Sequence, residues 1–156
     1  MANEEQEINQ QPDNASPLTD SLVAATSEET MQLGKAFAAS IPPGTVVFLE
    51  GDLGAGKTTF VKGMAEAFDV ARDEVSSPTF QYLNIYKGQT YLYHFDLYRL
   101  TDEASFIEMG FHELLEGDGV CCVEWSERLK SLRAIKNIQV TIAHEQEGRT
   151  IHICQN

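Results

Sequence analysis

The chain has 156 residues, 42% of them hydrophobic, and a formal net charge of −13 at pH 7. That length suits one domain with a sizeable core, and no apolar run approaches the ~20 residues that a membrane-spanning helix needs. So much negative charge also excludes a broad nucleic-acid surface, because such binding draws most of its affinity from Lys and Arg on phosphates.

Residues 1–20 are polar and acidic. Glu4, Glu5, Glu7, Asp13 and Asp20 carry five of the negative charges and leave −8 for residues 21–156. The stretch has too little apolar surface to offset the cost of ordering, so it predicts a disordered tail ahead of one domain over 21–156. It holds no Lys or Arg, unlike secretory and organelle presequences, and a cytoplasmic protein is expected. The three cysteines agree with that. Cys121 and Cys122 are neighbours that point to opposite faces of a strand, and Cys154 stands apart, so none suggests a disulfide or a zinc site.

Ser21–Ala25 reads as a first short strand. Thr26, with Glu29 three residues on, forms a capping box for a helix whose stripe is Thr30, Leu33, Gly34, Phe37, Ala38 and Ile41. Pro42-Pro43-Gly44 ends it. Thr45–Leu49 is a buried strand by its β-branched, apolar run. After residue 56, Phe60, Val61, Met64, Ala65 and Phe68 recur at helical spacing to about Asp69. Strand, helix and strand in series predict a parallel βαβ pair.

Between the second strand and its helix lies Gly51-Asp52-Leu53-Gly54-Ala55-Gly56-Lys57-Thr58, a Gly, four residues, then Gly-Lys-Thr. Glycines let successive N–H groups turn inward onto a polyphosphate, and the helix N-terminus adds a positive dipole end. Lys57 supplies a cation for the β- and γ-phosphates, and the Thr58 hydroxyl a ligand for Mg²⁺.

Residues 70–79 form a linker ending in Ser76-Ser77-Pro78-Thr79. It is either a plain connection or a γ-phosphate-sensing loop of the kind many nucleotide hydrolases carry. Phe80–Tyr86 and Tyr91–Leu97 alternate around Lys87-Gly88-Gln89-Thr90, a hairpin. His94, Asp96 and Tyr98 share one face of its second strand, either as solvent decoration or to hold metal or orient water; Phe95 and Leu97 face a core. Residues 101–116 read as one or two short helices broken at Gly110. Val120–Glu124 is a buried strand ending in a carboxylate. Ligands of open α/β sheets bind at the carboxyl ends of strands, so Glu124 is the candidate acidic partner of the phosphate loop, with Trp125 and Glu127 at the same rim. Arg128, Lys130, Arg133 and Lys136 are a solvated helix face or a contact to phosphate or a partner. Ile138–Ile142 and Thr150–Cys154 predict a closing hairpin at the sheet edge. The fold class is α/β: a three-layer sandwich like that of P-loop NTPases, with a mixed, largely parallel sheet and an antiparallel portion.

The candidate catalytic residues are Lys57, Asp96 and Glu124. They suffice for Mg²⁺-dependent binding and slow hydrolysis of a nucleoside triphosphate, because phosphoryl transfer is mostly positioning and charge stabilisation. Either carboxylate can hold the metal while the other orients water. No Asn-Lys-x-Asp stretch marks guanine specificity, so ATP is expected by default.

The chain resembles the TsaE family, also known as YjeE, from the helix at Thr26 through Arg128. The marks are Gly51 through Thr59, Ser77-Pro78-Thr79-Phe80, His94-Phe95-Asp96-Leu97-Tyr98-Arg99, Glu108-Met109-Gly110 and Val123-Glu124-Trp125-Ser126-Glu127. The resemblance implies a small ATPase required for threonylcarbamoyladenosine formation on tRNA, with ATP and Mg²⁺ as cofactors. It implies phosphate contacts from Gly51, Asp52, Leu53, Gly54, Ala55, Gly56, Lys57, Thr58 and Thr59, and a metal held by Thr58 and Glu124, with Asp96 supporting the metal or acting in hydrolysis. It places Thr79 in a switch-like loop, Trp125 close to the nucleotide and Thr26 near adenine. The implied partners are TsaD and TsaB, through which tRNA is reached indirectly. Two other functions are compatible with the residues. A small-molecule kinase would need an acceptor pocket and an arginine lid, for which Arg128 and Arg133 are the only pair; a nucleotide-dependent binding module would use ATP as a structural ligand.

Overall fold

The structure, a computed structural model, describes residues 19–155. Of the predicted tail, residues 1–18 lie outside the described residues, whereas Thr19 and Asp20 already belong to the first strand. The elements run β1 (Thr19–Ala24), α1 (Ser27–Ser40), β2 (Val46–Glu50), α2 (Lys57–Ala67), β3 (Leu83–Lys87), β4 (Tyr91–Asp96), α3 (Glu103–Glu108), α4 (His112–Leu115), β5 (Val120–Glu124), β6 (Ile138–His144) and β7 (Arg149–Gln155). All seven strands form one sheet in the order β1-β7-β6-β2-β5-β4-β3. The central four, β6-β2-β5-β4, are parallel. Both flanks are antiparallel: β3 on β4, and β7 on β6 with β1 outside it.

Two alternating sets of side chains build the layers, because neighbours along a strand point to opposite faces. Val47 and Leu49 of β2 and Cys122 of β5 pack with Phe37 of α1 and with Phe60, Val61 and Met64 of α2. Val46 and Phe48, with Cys121 and Val123, pack on the other side against Phe106 of α3 and Leu115 of α4. The two adjacent cysteines thus serve opposite cores, and none of the three cysteines is in a disulfide. Burial pushes the Cys121 thiol up to about 12 and holds Cys122 well above its ordinary value, where the Glu124 charge adds to the effect.

Local chemistry sets the helix starts. The Thr26 side chain accepts from the Glu29 N–H at 3.1 Å. The Glu29 carboxylate returns to the N–H of Ala25, one residue earlier than a standard capping box. Asp102 caps α3 through the Ser105 N–H at 2.8 Å. Gly110, at φ 78°, separates α3 from α4.

Three expectations are corrected. β1 and β2 run in the same direction but do not pair: β1 lies on β7, with β7 and β6 between it and β2. The β6–β7 hairpin is therefore not the edge, which β1 covers. The segment with Arg128 and Arg133 is not one helix but two single 3₁₀ turns, Ser126–Arg128 and Leu132–Ala134. They are anchored by Leu129, fully buried against the second core.

Candidate functional site

β2 delivers the chain to the glycine loop at its carboxyl end, and the loop closes on Gly56, the residue before α2, at φ 109°. A side chain there would be strained. The first N–H groups of α2 have no partner within the helix and face the head of the loop. Lys57 is the first residue of α2 and is 8% exposed. A buried ammonium needs partners, and it has three. It donates to the Gly51 carbonyl at 2.7 Å, lies 4.0 Å from Glu124 Oε1 and sits 4.8 Å over the Trp125 ring centroid. At that separation two unit charges attract by about 4 kcal/mol at an effective dielectric of 20, so the pair is mutually supporting.

Glu124 and Asp96 end neighbouring parallel strands and face each other in register. Both are nearly buried, at 3% and 4% exposure. Their surroundings differ. Glu124 turns one oxygen toward Lys57, and its Oε2 lies 2.7 Å from His94 Nε2. Asp96 is held by its own neighbourhood. Its Oδ2 accepts from Ser77 Oγ at 3.2 Å and Thr79 Oγ1 at 3.0 Å, and its Oδ1 accepts from the Tyr98 N–H at 3.0 Å. The loop bearing Ser77 and Thr79 is thereby fastened to the end of β4. At its start the Tyr86 hydroxyl accepts from the Ser76 N–H at 3.2 Å and donates to the Ser76 carbonyl at 3.1 Å.

His94 and Asp96 are not solvent decoration. His94 is fully buried on the α2 side of the sheet, and only Tyr98, beyond the strand, is exposed. The other His94 nitrogen, Nδ1, is buried without a partner, so its one hydrogen bond goes to Glu124. Trp125 follows at φ 59°, a left-handed conformation that is a genuine outlier for a bulky residue. The kink brings its ring beneath Lys57 and within 5.0 Å of the Tyr98 ring.

These groups enclose a cavity of about 560 Å³ lined by the loop, Lys57, Thr58, Thr79, Asp96, Glu124 and Trp125. Thr26 is elsewhere. It lines a second cavity of about 480 Å³, between the β1–α1 junction and the loop, shared with Gly54, Gly56, Thr59 and Arg149. Asp52 and Leu53 are exposed; Leu53 reaches the rim of the first cavity, while Asp52 borders a third space beside Glu50 and Arg133. Ala55 is buried and offers only backbone. Arg128 donates to the Tyr98 carbonyl at 3.2 Å, Arg133 pairs with Glu50, and Arg99 lies over the Phe80 ring. The two arginines considered for a lid are thus engaged in the body of the protein.

The donor set fits a hard cation that arrives with its own phosphate oxygens. Among the described residues no three His, Cys, Asp or Glu side chains form a metal cage. One hydroxyl (Thr58) and one or two carboxylates border the cavity instead, the small protein share that Mg²⁺ takes in phosphate sites. Arg149 is the residue that sequence reasoning missed; its only signal is an arginine directly after the glycine of the last turn.

A strand, a glycine loop and a helix opening on a buried lysine, at the carboxyl ends of the four parallel strands of a mixed sheet, define a protein of the P-loop NTPase-like α/β class. Comparison with known proteins narrows the class. The family model described as threonylcarbamoyl adenosine biosynthesis protein TsaE matches residues 24–151, beyond the Thr26–Arg128 span of the sequence motifs, and the chain belongs to that family. A Bacillus subtilis protein named tRNA threonylcarbamoyladenosine biosynthesis protein TsaE is 45% identical over 74% of this chain and 72% of its own. One of the same name from Treponema pallidum is 41% identical over 70% and 80%. The crystal structure of Bacillus subtilis YdiB superposes with a TM-score of 0.72 at 34% identity, covering 88% of this chain and 85% of that one.

Proposed function

We propose that this protein acts in the cytoplasm as a Mg²⁺-dependent ATPase in tRNA threonylcarbamoyladenosine formation, as an accessory to a TsaD–TsaB complex. The observation that carries the reading is the convergence of Lys57 and Glu124 over the head of the glycine loop. The loop N–H groups and Lys57 bind the polyphosphate. Thr58 and Glu124 hold the cation, and His94 orients Glu124. Mg²⁺, when bound, neutralises charge on the phosphate oxygens. Asp96 holds the Ser77–Thr79 loop against the site and orients the attacking water, while Trp125 packs beside the phosphates. The nucleoside end lies in the second cavity, with Thr26 at its wall. The chain is too acidic to grip tRNA broadly, so tRNA is reached through the partners.

The test is the content of threonylcarbamoyladenosine at adenosine 37 of tRNA in cells depleted of their own TsaE. The wild-type chain restores it; Lys57→Ala and Glu124→Gln do not. Full restoration by Lys57→Ala overturns the reading. Restoration by a variant that binds ATP without hydrolysing it makes ATP a structural ligand.

A further inference from the structure

The β6–β7 hairpin backs the glycine loop along its length. β6 runs parallel to β2, with Thr141 opposite Glu50 at the point where the loop begins. A Cβ at Gly51 would lie 2.6 Å from the Ile142 carbonyl oxygen, so strand and loop touch backbone to backbone. The hairpin turn closes with the Glu145 N–H donating to the Gly148 carbonyl at 3.1 Å. β7 then opens on Arg149, opposite Ala24 in the β1–β7 ladder. Its Nη1 donates to the Gly148 carbonyl at 2.9 Å, and its Nε donates to the carbonyl of Ala55, within the loop, at 2.7 Å. The guanidinium is therefore held at one end by the turn and holds the loop at the other.

The peptide it grips is a decisive one. The Ala55 N–H donates to the Asp52 carbonyl at 3.0 Å, so both backbone polar groups of Ala55 are engaged. In a trans peptide the carbonyl and the following N–H point in opposite directions. Anchoring the Ala55 carbonyl on Arg149 thus turns the Gly56 N–H away from the arginine and fixes that peptide plane. Gly56 has the left-handed freedom to let this plane flip, so without the anchor nothing in its own side chain would hold it. A charge-assisted hydrogen bond is the strong kind available for such a task.

We propose that Arg149 is a positioning residue that presets the Ala55–Gly56 peptide of the loop for a polyphosphate before the ligand arrives. This rests on the reading of the loop as a polyphosphate site. Presetting lowers the cost of ordering on binding, so its loss weakens every ligand that uses the loop, whatever else that ligand carries.

The test is calorimetric binding of Mg-ATP and of Mg-tripolyphosphate, which has neither base nor ribose, to the wild-type chain and to Arg149→Ala. Mg-tripolyphosphate is expected to weaken about tenfold, the loss of one charged hydrogen bond, and Mg-ATP, whose nucleoside lies in the cavity that Arg149 also lines, by at least as much. The Gly56 amide of the ligand-free variant is expected to shift or broaden in a ¹⁵N correlation spectrum. Arg149→Gln offers an uncharged amide N–H at the position of Nε, the atom that reaches the Ala55 carbonyl; it is expected to show the same pattern at about threefold, and it decides the matter if Arg149→Ala does not fold. Unchanged binding of both ligands overturns the inference. Weakening of ATP alone also overturns it, because Arg149 would then be a nucleoside contact. A wild-type chain that binds neither ligand overturns the polyphosphate reading along with it.

Discussion

The two faces of the sheet are built from the same strands and do different work. On the α3–α4 side, β4 and β5 present Phe95, Cys121 and Val123 to Phe106 and Leu129, all of them essentially inaccessible. On the α1–α2 side the next residues along, His94, Asp96, Cys122 and Glu124, are equally buried, but three of the four are polar. Burying such groups costs free energy unless each finds a partner, and here the partners are one another, Lys57, and the Ser77–Thr79 loop. The polar set gathers at the carboxyl ends of the strands, where α2 begins. Both faces supply an apolar core, but at the strand ends the α1–α2 face gives up some of that stability to hold charges at the loop.

Substitutions sharpen that contrast. The largest effect on stability is expected on the apolar face. Phe106→Ala removes a ring that meets Phe95 and Phe111 at 5.5 and 5.6 Å and should cost about 3–5 kcal/mol in urea unfolding, with ATP affinity of the folded fraction unchanged. Lost affinity at full folding would mean that the faces are coupled. On the polar face Glu124→Gln should lower Mg²⁺-dependent turnover more than tenfold, since charge stabilisation at a metal contributes several kcal/mol. Wild-type turnover in that variant would move the metal to Asp96. His94→Leu takes away the hydrogen bond that orients Glu124 and leaves the carboxylate under-satisfied. A loss of about 1–3 kcal/mol in stability is expected, together with weaker Mg²⁺ dependence of nucleotide binding; unaltered Mg²⁺ dependence would reduce His94 to packing.

The smallest effect concerns the two adjacent cysteines, Cys121 and Cys122. Their raised values favour the neutral thiol in the folded state, so their contribution to stability is complete below the ordinary value of 9.0. It should fall as the pH rises above that, toward about 12 for Cys121, because the unfolded chain ionises first. Cys122→Ala should flatten this alkaline decline in melting temperature. An unchanged decline would place its origin elsewhere.

Much of this was legible in the chain. The loop, its flanking strand and helix, the break at Gly110 and the strand ending in Glu124 all follow from local patterns, because each depends on residues close in sequence. The approach of Asp96 to Glu124 was partly legible, since both end predicted strands. What escaped depends on sheet order. Nothing near residue 20 says that β1 will lie on β7, and nothing near residue 149 says that an arginine will reach a carbonyl 94 positions earlier. The burial of His94 escaped for a related reason: alternation marks two faces, but not that helix α2 covers the second. The basic residues of 128–136 read as a helix because their spacing allows one, whereas the structure ties Arg128 and Arg133 to Tyr98 and Glu50 in separate turns.

The most direct test of the proposed function is ATP turnover by the purified chain, alone and with the TsaD–TsaB complex, with and without tRNA, beside Lys57→Ala. The account predicts slow turnover alone and stimulation by the complex that vanishes in Lys57→Ala. Fast turnover by the isolated chain that the complex leaves unchanged would contradict it.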